Sequence, residues 1–161
     1  IVLIGFMGSG KTSVGKALAA TLNKTFVDTD ELIEQKQGNS IAQIFEQQGE
    51  STFRQMESEV IAEVFSKPGQ VVSVGGGAVL SEENRRVIQR EKVFYLHATL
   101  DEVMTRLKND GQRPLFTNKS PEQVQSLLDS RKELYEKTCR HEIETSGKNI
   151  EQIAAEIKKM C

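Results

Sequence analysis

At 161 residues, with 37% hydrophobic and 27% charged positions, the sequence fits one globular domain that buries its own core without disulfide or metal staples. A net charge of -2 excludes the positive excess that non-specific binding to nucleic acid or to an anionic membrane requires. No apolar run approaches the ~20 residues of a membrane-crossing helix, and Cys139 and Cys161 are too few and too far apart for a disulfide framework. Reduced thiols in a cytoplasmic protein are the expectation.

Short Val-, Ile- and Phe-rich runs predict strands over 1–4, 25–28, 71–74 and 93–97, and a weaker pattern predicts one over 142–145. The chain opens in the first of these on Ile1 rather than Met, without a signal-peptide pattern, so a few preceding residues are expected. Helical periodicity covers 11–22, 31–37, 41–48, 51–65, 82–89, 100–108, 121–138 and 150–160. This alternation predicts an α/β domain over 1–161, a parallel sheet with helices on both faces. Ligands of such sheets bind outside the carboxyl ends of the strands, so the loops after the strands are where chemistry is expected.

After the first strand comes Gly5-Phe6-Met7-Gly8-Ser9-Gly10-Lys11-Thr12, which satisfies G-x-x-x-x-G-K-[ST] between a strand and a helix. Glycines let successive backbone N–H groups curl around phosphate oxygens at a helix N-terminus. Lys11 reaches the β- and γ-phosphates, and the Thr12 hydroxyl is placed to ligate Mg²⁺. Ser13 stands where a dinucleotide fingerprint needs its third glycine, so that reading fails. Asn118-Lys119-Ser120-Pro121 lacks the aspartate of a guanine-reading motif, and the third strand runs into glycines rather than the acid of a motor-type ATPase. A kinase that joins a nucleotide to a small acceptor is left as the leading class. A nucleotide-dependent switch or binding module is the alternative.

Asp28-Thr29-Asp30 closes the second strand. If the strand persists, alternation sends both carboxylates to one side, Asp28 towards a metal and Asp30 towards an acceptor hydroxyl. The competing reading makes Asp30 the N-cap of the helix over 31–37. In Phe53-Arg54-Gln55-Met56-Glu57, Arg54 flanks a buried stripe, and Glu57 one turn on is placed to hold its guanidinium. Taken alone, Arg54 reads as an exposed ion pair. Gly75, Gly76 and Gly77 follow the third strand and let backbone N–H groups approach a ligand closely, or else form a plain turn before a helix capped by Ser81.

The polar stretch 108–121 reads as a surface loop or as a lid that brings Arg113 to the phosphates; Arg106, just before it, is placed to stack on adenine. Arg131 falls on the apolar stripe Val124, Leu127, Leu128, Leu134 and Tyr135. An inward arginine needs an anion, supplied either by an internal acid or by a bound substrate. His97 and His141 stand apart from other ligand types and read as structural.

Taken in order, GFMGSGKT, DTDE, SIAQIFEQQGESTFRQME, GGGAV, RPLF and RKELYE resemble the shikimate kinase family over nearly the whole chain. The resemblance implies a nucleoside-monophosphate-kinase-like α/β/α three-layer sandwich with the P-loop NTPase fold, a five-stranded parallel sheet in order 2-3-1-4-5 and a short lid. It also implies transfer of the γ-phosphate of ATP to the 3-hydroxyl of shikimate, with Mg²⁺ as cofactor, in a monomeric cytoplasmic enzyme of aromatic amino-acid biosynthesis. Carried over by position, Asp30, Arg54, Gly75, Gly76, Gly77 and Arg131 would bind shikimate, within a helical region over about 30–65 and beyond it. Gly8, Ser9, Gly10, Lys11, Thr12, Ser13, Arg106, Arg113 and Lys148 would bind ATP, and Thr12 and Asp28 the metal. Lys11, Asp30 and Arg113 would be catalytic. Lys148 departs from the arginine found there in some members and cannot stack as a guanidinium does.

Overall fold

The computed structural model describes residues 1–109 and 119–161, without the side chains of 107–109. Five parallel strands, β1 (Val2–Ile4), β2 (Thr25–Asp28), β3 (Gln70–Ser73), β4 (Val93–His97) and β5 (His141–Glu144), pair in the order β2-β3-β1-β4-β5. The expected strand order is therefore met. β1 lies at the centre, with Val2 opposite Val72 on one side and Val93 on the other. Short hydrophobic runs without polar alternation are what a strand covered on both faces requires.

The two faces carry separate cores because successive side chains point to opposite sides. Leu3, Val71, Phe94, Leu96 and Ile143 pack under α1 (Lys11–Leu22) and α7 (Ile150–Lys159). Val2, Ile4, Val72, Val93 and Tyr95 face α2 (Thr29–Gln37), α3 (Ile41–Phe65), α4 (Glu82–Ile88), α5 (Leu100–Asn109) and α6 (Pro121–Thr138). Each fully buried aliphatic side chain of these cores contributes roughly 1.5–3 kcal/mol.

Capping fixes several helix starts. Ser40, Ser120 and Asn149 form reciprocal capping boxes with Gln43, Gln123 and Gln152. Ser81 caps α4 as expected, after a 3₁₀ turn over Ala78–Leu80. The two helices expected over 41–48 and 51–65 abut as α3, interrupted at Gly49, whose φ of 80° and ψ of 168° leave the helical region.

Two expectations need correction. The helix after β2 starts at Thr29, not Glu31, because the Asp28 carboxylate accepts the N–H groups of Asp30 and Glu31. Asp28 is thus the N-cap, and Asp30 lies in the first helical turn rather than on a continuing strand. β3 and β5 each begin one residue earlier than the apolar patterns over 71–74 and 142–145 indicate. Gln70 joins β3 while its side-chain amide bonds the carbonyls of Val64 and Lys67, and His141 joins β5 with its ring stacked on Phe94.

Candidate functional site

Loops at the carboxyl ends of β1, β2 and β3 meet helices α3 and α6 around one cleft. In the loop after β1, Gly5, Gly8 and Gly10 have φ of 146°, 74° and 91°, which L side chains rarely adopt. A Cβ on Gly5 would also stand 2.5 Å from the Leu96 carbonyl oxygen. Gly10 caps α1 without a side chain, so the helix N-terminus presents bare N–H groups, a ready anion site. Lys11 folds back over the loop and donates to the carbonyls of Gly5 at 2.8 Å and Phe6 at 2.9 Å. Ser9 is buried in the loop, while Ser13 on α1 is exposed.

Beside this loop the Thr12 hydroxyl donates to Asp28 Oδ2 at 2.8 Å. Two oxygen donors this close, next to a phosphate cradle, suit a hard cation that takes its remaining ligands from phosphate and water. Among the described residues no group of three or more His, Cys, Asp or Glu side chains forms an all-protein metal cage. Such a sparse donor set fits a divalent cation that keeps several waters.

Next to the phosphate loop lies a cavity of about 380 Å³. Met7, Ile41, Phe45, Phe53 and Leu127 form its apolar wall, with Phe45 and Phe53 packed ring to ring at 4.7 Å. Asp30, Arg54, Gly75, Gly76, Gly77 and Arg131 all line it, together with Glu57 and Lys119. The six positions expected to bind an acceptor are therefore brought together from α2, α3, the loop after β3 and α6. Sizes of this order suit a small metabolite.

Arg54 is held from below by Glu57, whose Oε2 accepts from Nη1 at 2.8 Å, and from the rim by Glu50 at 3.2 Å. Glu57 is 1% exposed, and among the described residues its Oε1 has no hydrogen-bond partner. Burial pushes its carboxyl up to about 7; Arg54 opposes the rise and Asp30 adds to it. Gly75 and Gly77 leave room for these side chains. A Cβ on Gly75 would stand 2.5 Å from Asp30 Oδ1 and 2.8 Å from Glu57 Oε1, and one on Gly77 would stand 2.3 Å from Arg54 Nη1. Thr29, between the two aspartates, accepts the Gly75 N–H at 3.0 Å and ties α2 to the glycine run.

Arg131 is 8% exposed, and among the described residues its Nε has no hydrogen-bond partner. Its guanidinium lies 5.9 Å from the centre of the Phe6 ring. No described carboxylate comes within ion-pair distance of it. Of the two readings of this arginine, an internal acid or an external anion, the packing favours the second, because a buried cation without a counter-ion is costly.

On the nucleotide side, Arg106 donates to the Gly8 carbonyl at 2.9 Å and approaches Glu102 at 3.8 Å. Glu102 also accepts from the Ser146 hydroxyl at 2.7 Å, which ties the segment after β5 to α5 beside the phosphate loop. Lys148 pairs with Glu156 on α7 at 2.6 Å. Arg113, and with it most of the expected lid over 108–121, lies outside the described residues. His97 pairs with Glu144, and His141 stacks on Phe94, in keeping with structural roles.

Sequence reasoning missed the apolar wall from Met7, Ile41 and Phe45, the Thr29 tie and the polar end of Tyr135, whose hydroxyl donates to the Gly76 carbonyl at 2.6 Å. A threonine between two candidate site acids was the available signal for the second of these. For the others, helical periodicity marks only inward-facing positions and cannot separate a cavity wall from core.

Comparison with known proteins agrees with this architecture. The shikimate kinase family model matches residues 7–161. A shikimate kinase from Thermodesulfovibrio yellowstonii is 45% identical over 163 residues, covering 99% of this chain and 92% of its own. One from Enterococcus faecalis is 41% identical over 160 residues, covering 98% and 95%. Among solved structures, a shikimate kinase from Acinetobacter baumannii in complex with shikimate superposes with a TM-score of 0.94 at 36% identity, covering 99% of this chain and 90% of its own. With the family model matching nearly the full length and relatives above 40% identity, the chain belongs to the shikimate kinase family.

Proposed function

We propose that this protein transfers the γ-phosphate of ATP to the 3-hydroxyl of shikimate, giving shikimate 3-phosphate and ADP, with Mg²⁺ as the metal. The observation that carries the reading is the convergence of Arg54 and Arg131 on one cavity beside Asp30 and the phosphate loop. Two guanidinium groups suit the planar carboxylate of the acceptor, and the apolar wall of Phe45, Phe53 and Leu127 suits its ring. Asp30 accepts from the ring hydroxyls and orients the attacking one or takes its proton.

Gly8, Ser9, Gly10, Lys11, Thr12 and Ser13 hold the phosphates, with Lys11 leaving its carbonyl partners to follow the transferred group. The open N-terminus of α1 supports this assignment. Thr12 and Asp28 hold the metal, which when bound neutralises charge on the β- and γ-phosphates. Phosphoryl transfer then rests on in-line positioning and charge stabilisation. Arg106 and Lys148 are assigned to the nucleotide side, Arg113 to the lid over 108–121, and the acceptor-binding helical region to 30–65. The unit is assigned as a monomer, and two free thiols, Cys139 and Cys161, fit a reducing cytoplasm. No described helix is long and apolar enough to cross a membrane.

The test is a coupled ADP-release assay with shikimate, gluconate and nucleoside monophosphates as acceptors. Turnover with shikimate well above the others is expected. Comparable rates with all three would remove the assignment.

A further inference from the structure

Tyr135 lies on α6 one turn after Arg131 and is 1% exposed. Its ring stacks on Tyr95 of β4 with centroids 5.0 Å apart, which fixes where its hydroxyl ends. That hydroxyl donates to the Gly76 carbonyl at 2.6 Å. A carbonyl only accepts, so the phenol places its single proton on Gly76. Burial pushes the phenol up to about 12, so that proton stays in place at any working pH.

The peptide that follows Gly76 has little else to hold it. Among the described residues no acceptor takes the N–H of Gly76 or Gly77, and neither residue has a side chain to pack. A peptide between two glycines turns over at small steric cost. Turned over, it would aim the negative end of a carbonyl into the cavity where Arg54 and Arg131 await an anion. Planarity makes the two faces of a peptide exclusive: when the carbonyl points away, the N–H points the other way.

We propose that Tyr135 is a positioning residue for the acceptor: its hydroxyl holds the Gly76 carbonyl out of the cavity and keeps the amide edge of the glycine run towards the bound carboxylate. This rests on the reading of the cavity as the shikimate site. Among the described residues the Tyr135 hydroxyl bonds neither the phosphate loop nor the metal donors, so its effect is expected on acceptor binding.

Tyr135→Phe keeps the ring and its stacking and deletes only the hydroxyl. Steady-state kinetics with each substrate varied at saturation of the other, together with the melting temperature, give the readout. Expected are a rise of about tenfold in KM for shikimate, from the lost hydrogen bond, with KM for ATP unchanged and kcat within about threefold. The control is Tyr95→Phe, which removes the neighbouring phenol without touching the glycine run and should leave both KM values as they were. An unchanged shikimate KM in Tyr135→Phe, an equal rise in Tyr95→Phe, or a parallel loss in both substrates with a lowered melting temperature would each overturn the proposal. Wild-type protein inactive on shikimate would overturn the functional reading itself, and this proposal with it.

Discussion

Gly77→Ala isolates the placement of Arg54 from the stability of the fold. Gly77 has φ of -93° and ψ of -7°, a conformation alanine adopts without strain. The added Cβ would stand 2.3 Å from Arg54 Nη1, 2.5 Å from Nη2 and 2.7 Å from Cζ, so the guanidinium has to withdraw by roughly 1 Å to restore van der Waals contact. It sits at the end of a flexible side chain, so the fold yields at little cost. The bond to Glu57 and the aim at the acceptor are what change. Losing one charge-assisted hydrogen bond to the substrate costs about 1.5–3 kcal/mol, equivalent to a rise of about 10- to 150-fold in KM for shikimate. The assay is ADP release at saturating ATP with shikimate varied, run beside thermal unfolding. KM for ATP and the melting temperature should stay near wild type. A shikimate KM equal to wild type would show that Arg54 does not hold the carboxylate, and equal damage to both substrates would show a general loss of structure.

Further outcomes follow from the same geometry. Asp30→Asn should cut kcat by two or more orders of magnitude while ATP affinity, measured by equilibrium titration, changes less than about threefold; turnover near wild type would remove Asp30 from the chemistry. Glu57 makes both stability and acceptor binding depend on pH. Its carboxyl is raised by burial from 4.5 to about 7, so between these values the unfolded chain loses its proton while the folded one keeps it. Stability should therefore fall as pH rises through that window, by about 3 kcal/mol in denaturant titrations, and Glu57→Gln should flatten this slope. Ionised Glu57 also neutralises Arg54 beneath the carboxylate site, so KM for shikimate should rise as pH passes about 7 in wild type and not in Glu57→Gln. Identical pH profiles in the two proteins would contradict this.

The sheet was legible because four short apolar runs and a weaker fifth pattern alternate with helical ones, as a parallel sheet with helices on both faces requires. The start of α2 was not. Asp28 and Asp30 are equally good caps by local rules, and the choice depends on Thr12, sixteen residues earlier in the chain, which draws Asp28 to the phosphate loop. Gln70 and His141 fall outside the patterns over 71–74 and 142–145, yet one satisfies its amide on the preceding turn and the other packs its ring on Phe94. Arg131 was legible as an inward-facing cation because it breaks the pattern of an apolar stripe, and it does line the cavity. Tyr135 kept to that pattern, since its ring belongs to the core, and its hydroxyl bonds a backbone carbonyl 59 residues away.

The convergence of Arg54 and Arg131 on a single carboxylate is tested most directly by changing the acceptor rather than the protein. Replacing the carboxylate of shikimate with the neutral carboxamide leaves ring and hydroxyls intact and removes only the charge that the two guanidinium groups are placed to meet. The measurement is kcat/KM for both acceptors at saturating ATP. A loss of at least about 100-fold for the amide is expected, two charge-assisted bonds being weakened together. Equal values for acid and amide would mean that the arginines serve some other purpose and that the acceptor has been misassigned.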